Sequence, residues 1–316
     1  MSDFKVWKLI SLLCIMFLMV GCESKEERIQ QTITHSLQDA SRAINTLGDA
    51  LDKNQVRNAN LLVEYGNVLG QQNPQLNNIA QLVAQDATSG GPLYQSLLSR
   101  YQALKSPQPG MSSDDIIEQA VLLKEAASLS LFNDALTDPI NVLADMSNGT
   151  LARVGAISQS AEQAASNGQP AVGNQLVGNA NYGEWQTNSN GTSFWMWYGM
   201  YRMLGDLVGD VEYDSWSKRR KYSYYSDYGR KRYTSYQGYK RQSAIEQRTR
   251  QSYQRQGRQF TSPYAKRKAG ASGLSRASHT PSAVSRSSYS RAKSGSGSGS
   301  IRNSSNRTSR GVSRGK

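Results

Sequence analysis

Few side chains in this 316-residue sequence have the types and spacing that catalysis requires. Its two histidines, His35 on a predicted helix and His279 in a Ser/Arg-rich stretch, supply neither a metal cluster nor a catalytic triad. Two carboxylate pairs, at residues 26–27 and 114–115, fit a solvated helix face and a helix start, since adjacent helical positions point apart. The sequence has no phosphate-cradling glycine loop and no GxSxG motif. It favours a non-enzymatic protein without metal or cofactor, and hydrolysis by carboxylates alone is the remaining enzymatic alternative.

Cys22 offers chemistry of another kind, because it closes an apolar run near the amino terminus. Two lysines in Met1–Lys8 precede a 12-residue run, Leu9–Val20, that is apolar except for Ser11. As a helix this run would extend about 18 Å, which is shorter than the ~30 Å hydrocarbon core of a bilayer. The pattern favours a signal peptide over a membrane span. The alternative is an uncleaved anchor in which Cys22 is an ordinary thiol.

Residues 18–22, Leu-Met-Val-Gly-Cys, resemble the lipobox of bacterial lipoprotein precursors, with methionine where leucine is commonest. The resemblance implies cleavage between Gly21 and Cys22, a diacylglycerol on the Cys22 thiol and an acyl chain such as palmitate on the new amino terminus. Several chains anchor stably, whereas one binds only marginally. Glu23, in place of the aspartate that favours inner-membrane retention, implies the outer membrane of the cell envelope. Loss of Cys14 with the signal would leave no second cysteine for a disulfide.

Charge divides the mature chain into two unlike parts. Residues 22–215 contain 10 Lys and Arg against 21 Asp and Glu, a balance of −11. Residues 216–316 contain 25 Lys and Arg against 2 Asp and Glu, a balance of +23. Such asymmetry is typical of a folded body followed by an interaction tail.

Apolar residues recur at steps of three and four between residues 22 and 168, beginning with the stripe in Glu23–Leu51. We expect the second helix to end at Gly70, and a last helix to run from Leu151 to Gly168. Helix-start signals fall between them, at Asn73-Pro74, Ser112 with Asp115, and Asp138-Pro139. After a signal peptide at 1–21, we therefore expect an all-α body, a slim helical bundle or array of about six or seven helices, and then an Asn/Gly-rich linker at 169–192.

Residues 193–212 begin with an unusually aromatic and Met-rich segment, SFWMWYGMYRMLGDLV. It is too short and too charged to span a membrane, so we expect a helical segment with one of three uses. It could pack on the body as a terminal helix or a hairpin, lie in the membrane interface as an in-plane helix, or contact a partner or a second copy of the chain. The candidate membrane or partner contacts are Phe194, Trp195, Trp197, Tyr198 and Tyr201.

Residues 213–316 alternate basic clusters with tyrosines and then become a Ser/Arg/Gly tract with few aliphatic residues. We expect disorder from about residue 217, because such a segment buries too little apolar area to offset its ordering. Cations interleaved with aromatics are typical of polyanion binding. The candidate polyanion-binding residues are Lys218, Arg219, Arg220, Lys221, Arg230, Lys231, Arg232, Lys240 and Arg241.

An exported basic tail would meet anionic lipid, lipopolysaccharide, peptidoglycan or an acidic protein, and location disfavours nucleic acid. The acidic body is a further possible partner, and a solvated spacer is the simplest alternative. The layout of lipobox, polar body, SFWM and Ser/Arg/Gly tail also resembles YgiB-type lipoproteins, and this resemblance implies the lipoprotein class alone. We therefore expect a non-enzymatic, membrane-anchored envelope lipoprotein, with a surface-exposed adhesin-like or nucleic-acid-binding lipoprotein as the alternative.

Overall fold

The structure, a computed structural model, describes residues 24–107, 109–156, 172–265, 270–271 and 273–279. It is mostly helical, with 67% helix and 5% strand, and this confirms the predicted helical class. The described residues belong to one compact unit with a continuous hydrophobic core. Gly21, Cys22 and the signal peptide lie outside the described residues, as do residues 280–316 of the predicted tail.

Seven α-helices form the body within the described residues up to 156, in agreement with the expected six or seven. They are α1 (Lys25–Asp52), α2 (Arg57–Gln72), α3 (Asn77–Ala84), α4 (Pro92–Lys105), α5 (Ser113–Ala126), α6 (Leu129–Ala135) and α7 (Thr137–Met146). Helix α1 packs along α5 and α4, while α2 packs against α3 and α7. Their apolar stripes supply most of the aliphatic core.

Local start signals explain where several of these helices begin. Ser112 accepts a hydrogen bond from the Asp115 N–H at 3.1 Å, and the Asp115 carboxylate accepts one from the Ser112 N–H at 3.0 Å, which confirms the predicted capping box. Asn73 accepts from the Gln75 N–H, and Pro74 opens a 3₁₀ turn ahead of α3. Each cap satisfies backbone donors that the first helical turn leaves unpaired.

Three expectations about the body need correction. Gly70 does not end α2 but lies inside it, because its missing side chain makes room for α3: a Cβ there would lie 2.2 Å from Asn77 Oδ1. Asp138 is not an N-cap, since α7 starts at Thr137 and the Asp138 carboxylate contacts a distant segment. Residues 151–156 are not helical, and the rest of that predicted helix, residues 157–168, lies outside the described residues.

The described part of the predicted linker, residues 172–192, is structured. It contains a 3₁₀ turn (Asn174–Leu176) and strand β1 (Gly183–Thr187). Asn188 accepts hydrogen bonds from the N–H groups of Asn190 and Thr192 in the turn that follows, where Gly191 has a φ of +82°. The Asn and Gly residues thus form turns. Composition alone predicted a linker here, because turns and linkers are rich in the same residues.

The aromatic segment is not a continuous helix. Strand β2 (Ser193–Trp197) pairs antiparallel with β1, with Trp185 opposite Trp195. Helix α8 (Arg202–Val208) follows after a 3₁₀ turn. Trp195 and Trp197 point into the core and Met196 into solvent, the period-two alternation of a strand.

The predicted disorder is wrong for residues 213–265 and 273–279. These residues form α9 (Tyr213–Arg219), a π-helical turn (Tyr225–Gly229), α10 (Arg230–Tyr233), α11 (Tyr236–Arg255) and α12 (Arg276–His279). Tyrosines replace aliphatic residues in this part of the core, since Tyr213, Tyr224, Tyr225, Tyr233 and Tyr253 are all buried. A large aromatic ring buries enough apolar surface to hold such a segment in place.

Candidate functional site

Most of the predicted membrane or partner contacts are core residues. Trp195, Trp197 and Tyr201 are buried, Phe194 is half-buried, and only Tyr198 is exposed. The ring centroids of Trp185 and Trp195 lie 5.1 Å apart, and those of Trp195 and Trp197 lie 5.8 Å apart, both edge to face. The structure thus gives these rings a packing role, as expected for a segment that packs on the body.

The same segment still presents apolar side chains to solvent. Within the described residues, five of the seven large hydrophobic side chains that are exposed belong to it: Met196, Tyr198, Met200, Met203 and Leu207. The sequence did not separate these residues from the buried aromatics, because a helix was assumed where a strand alternates. They are the better candidates for a weak apolar contact with a membrane or a partner.

Two of the predicted polyanion-binding residues, Arg220 and Arg232, form ion pairs within this chain. Arg232 Nε donates to Glu125 Oε2 of α5 at 2.9 Å. Arg220 pairs with Asp227, and both side chains are buried. The guanidinium groups that would bind an external anion are already engaged by carboxylates of this chain. The Arg232–Glu125 pair joins the acidic body to the basic segment, by which we mean residues 213–265 and 273–279.

A carboxylate of the body also caps the basic segment. Asp138 in α7 accepts hydrogen bonds from the N–H groups of Tyr224 at 2.7 Å and Tyr225 at 3.0 Å, and from the Ser223 hydroxyl at 2.9 Å. Burial raises the pKa of the Asp138 carboxyl to about 7, although these donors lower it. In α6, Asp134 similarly accepts from the Ser275 N–H, at 2.9 Å. Body carboxylates thus hold the start of the π-helical turn and the residues before α12.

Arg230 occupies an internal aromatic site. Its guanidinium carbon lies 3.6 Å from the ring centroid of Tyr264 and 4.7 Å from that of Tyr239. Nη1 also lies 3.5 Å from Glu246, and Nε donates to Gln242 at 2.9 Å. Like Arg220 and Arg232, this residue stabilises the fold and is poorly placed for an external ligand.

Helix α11 carries a group of four exposed cations on one flank. Lys240, Arg241, Arg248 and Arg255 are exposed, and at 100° per residue they fall within one 100° sector of the helix. We call these four residues the basic stripe. It spans about 22 Å at 1.5 Å per residue. Glu246, the one acidic residue of α11, lies on another flank and is paired with Arg230 and Arg250.

The buried face of α11 fixes the position of the helix that carries the basic stripe. Gln242 donates to the carbonyl oxygen of Gly178 at 3.0 Å and to the Tyr225 hydroxyl at 2.9 Å. Ile245 and Tyr253 are buried on the same side of α11. The neighbouring flank of α11 therefore presents the four stripe residues on a backbone that is held in place before any ligand binds.

The remaining predicted cations differ in their surroundings. Lys218 is exposed and pairs with Asp214 at 2.7 Å, and Arg219 and Lys231 are exposed as well. Lys221 is half-buried and engaged in a contact. Arg248 and Arg255 were missed because α11 has so few aliphatic residues that its helical periodicity escaped notice. Their spacing from Arg241, seven and fourteen residues, was the signal that could have found them.

The described residues contain no group of three or more His, Cys, Asp and Glu side chains that could hold a metal ion. His35 lies on α1 with Nδ1 4.0 Å from Asp39, and His279 packs edge to face on Tyr228 with centroids 5.3 Å apart. Glu27 and Asp115 cap their own helices. No helix in the described part of the chain is long and apolar enough to cross a membrane.

The fold and the surface define a mostly helical protein in which a basic, tyrosine-rich segment is folded onto an acidic helical body and leaves one basic helix face exposed. Comparison with family models, curated proteins and solved structures gave no match.

Proposed function

We propose that this chain is a non-enzymatic lipoprotein of the bacterial envelope that binds phosphate groups of anionic lipids or lipopolysaccharide through its basic stripe. The lipobox-like residues 18–22 support the anchor, which would be the acylated Cys22. The observation that carries the binding role is the stripe itself, four exposed cations on one face of a 20-residue helix.

The composition of the stripe favours phosphate over other anions. Three of its four residues are arginine, whose planar guanidinium donates two parallel hydrogen bonds to a phosphate. Arg241 lies 4.0 Å from Glu184, a loose contact that an incoming phosphate can replace. Because α11 is fixed by its buried face, binding costs little ordering of the backbone.

A vesicle-binding experiment tests the stripe apart from the lipid anchor. The chain carries Cys22→Ser to prevent acylation, and it is sedimented with vesicles of phosphatidylglycerol or phosphatidylcholine and with lipopolysaccharide. At about 1 kcal/mol for each Lys or Arg near an anionic surface, K240Q/R241Q/R248Q/R255Q should weaken binding by up to about 10³-fold. Binding to the anionic surfaces should also fall steeply as salt is raised.

A matched control removes the same charge elsewhere. Arg28, Lys53, Arg57 and Lys105 are exposed on the body, so R28Q/K53Q/R57Q/K105Q has the same net charge as the stripe variant. This control should retain binding. Equal losses of vesicle binding in both variants would show that binding depends only on net charge. Preferential binding to DNA would favour the nucleic-acid alternative.

A further inference from the structure

A second surface of the body has an unusual composition. The 21 residues from Tyr65 to Gln85 contain no charged residue, in a chain where 19% of residues are charged. Nine of the 21 are Asn or Gln, and eight of those nine are exposed. They lie on the second half of α2, the connecting turn and α3. This surface therefore offers many amide groups and no formal charge.

Six of these residues line an open cleft of about 350 Å³ between α2 and α3: Asn67, Gly70, Gln71, Pro74, Asn77 and Gln81. We call it the amide cleft. Its volume falls within the ~300–1,000 Å³ range of small-molecule sites. Four of the six lining residues are carboxamides, one is a proline ring and one is a buried glycine.

The hydrogen-bonding capacity of the cleft is mostly unused. Gln81 Nε2 donates to Asn67 Oδ1 at 3.2 Å. The side-chain amides of Gln71 and Asn77 have no hydrogen-bond partner in the part of the chain that the structure describes. Since each carboxamide can donate two hydrogen bonds and accept two, the cleft presents donors and acceptors side by side.

The walls of the cleft are held at a fixed separation. A Cβ at Gly66 would lie 2.9 Å from Ala84 Cβ, so α2 and α3 cross at a distance that only glycine permits. The Asn73 cap and Pro74 fix the turn that joins the two helices. The cleft is thus formed before a ligand arrives, which lowers the entropic cost of binding.

We propose that the amide cleft binds a neutral oligosaccharide. Sugar hydroxyl and acetamido groups both donate and accept, and so they match carboxamides. A charged ligand would lose hydration without meeting a counter-charge. An apolar ligand would cover the amides of Gln71 and Asn77 without pairing them. The Pro74 ring supplies an apolar surface for the C–H face of a sugar. This site is independent of the basic stripe.

The test uses the full chain in detergent, titrated with the N-acetylglucosamine tetramer and with maltotetraose. Salt of about 0.5 M screens the basic stripe. Nuclear magnetic resonance follows the side-chain amide signals of the lining residues, assigned with single variants. We expect saturable changes with one or both tetramers, and a loss of at least about tenfold in affinity in Q71A/N77A, which removes two ligand-facing amides.

N78A/Q85A is the matched control, because Asn78 and Gln85 are exposed in the same stretch but do not line the cleft. It should bind as the unaltered chain does. If Q71A/N77A unfolds, Gln71→Glu serves instead: it keeps the shape of an exposed side chain, replaces the donor with a charge, and should weaken binding. Amide signals that stay unchanged at about 10 mM with both tetramers, a concentration that detects even millimolar Kd values, would overturn the proposal. So would equal losses in the cleft and control variants. Neither result bears on vesicle binding by the basic stripe.

Discussion

Arg220 and Asp227 form a bidentate ion pair inside the basic segment. Arg220 Nη2 donates to Asp227 Oδ1 at 2.6 Å, and Nη1 to Oδ2 at 3.2 Å. The Arg220 and Asp227 side chains are 2% and 0% exposed. Arg220 Nε also donates to the carbonyl oxygen of Pro263 at 3.0 Å. The pair therefore joins the end of α9, the π-helical turn and the chain beyond α11.

Arg220→Met should destabilise the protein by about 3–5 kcal/mol, because Asp227 would remain buried without its counter-charge. Urea unfolding followed by circular dichroism measures the loss of free energy. Arg219→Met is the control, since Arg219 is the exposed neighbour. A surface change of this kind should alter stability by less than about 0.5 kcal/mol.

The double variant R220M/D227L should recover part of that loss, because an apolar pair of similar volume avoids burying the Asp227 carboxylate without the Arg220 charge. Recovery will be incomplete, since the Pro263 carbonyl oxygen loses its donor. If R220M is as stable as R219M, the ion pair does not hold this segment in place.

Asp138 gives the protein a pH-dependent stability with a defined sign. Its pKa is about 7 in the folded chain and about 3.9 in an unfolded one. Between these values the folded state binds more protons, so the stability that Asp138 contributes is present at low pH and is lost as pH rises towards 7. Asp138→Asn removes this contribution.

Relative to D138N, the unaltered chain should therefore lose free energy of unfolding as pH rises from 5 to 7, by at most about 1.4 kcal/mol per pH unit. Urea unfolding at several pH values measures it. Burial also raises the pKa of Asp86, to about 6, but that group is common to both proteins and cancels in the difference. If the free energy of unfolding changes with pH by the same amount in both proteins, the prediction is wrong.

Two adjacent glycines ahead of α4 should differ in their tolerance of alanine. A Cβ at Gly91 would lie 2.1 Å from the carbonyl oxygen of Gln85, a backbone atom that cannot move aside easily. At Gly90 the nearest atom is Thr88 Oγ1 at 3.6 Å, an ordinary contact. Gly91→Ala should lower the free energy of unfolding by about 1–3 kcal/mol. Gly90→Ala should leave it nearly unchanged, and a similar loss in both would indicate a backbone effect common to the turn.

The helical body could be predicted because local signals and the global fold agree there. The apolar steps of three and four in α1 and the capping box of Ser112 and Asp115 each act within a few residues, where sequence order is also spatial order. Gly70 was misread as a stop because its role, close contact with Asn77, depends on a neighbouring helix that sequence does not place.

The basic segment could not be predicted for a related reason. Its composition is that of a chain without enough aliphatic residues to fold alone, but tyrosine rings and carboxylates from the body complete its core. The contact of Asp138 with Tyr224 joins residues 86 apart, and that of Arg232 with Glu125 joins residues 107 apart. No local sequence pattern indicates such pairs. The charge asymmetry therefore suggested two separate parts, whereas the described residues form one compact unit.

The proposed anchor and the basic stripe would attach the protein to the membrane from two different parts of the chain. The first helix starts at Lys25, three residues after Cys22, and its first buried residue is Ala40. About 22 Å of helix at 1.5 Å per residue therefore separates the proposed anchor from the core. In cells, Cys22→Ser should remove the anchor, and the protein should stay with membranes only through the stripe.

Membrane fractions washed at low and high salt distinguish the contributions. The Cys22→Ser protein should be retained at low salt and released at about 0.5 M salt, where screening acts within a few ångströms. Adding K240Q/R241Q/R248Q/R255Q should release it at low salt as well. Complete release of Cys22→Ser alone at low salt would leave the anchor as the sole attachment. Retention of the combined variant at high salt would instead indicate an apolar contact, through an uncleaved run Leu9–Val20 or through the exposed side chains around Met200, since apolar contacts do not weaken with salt.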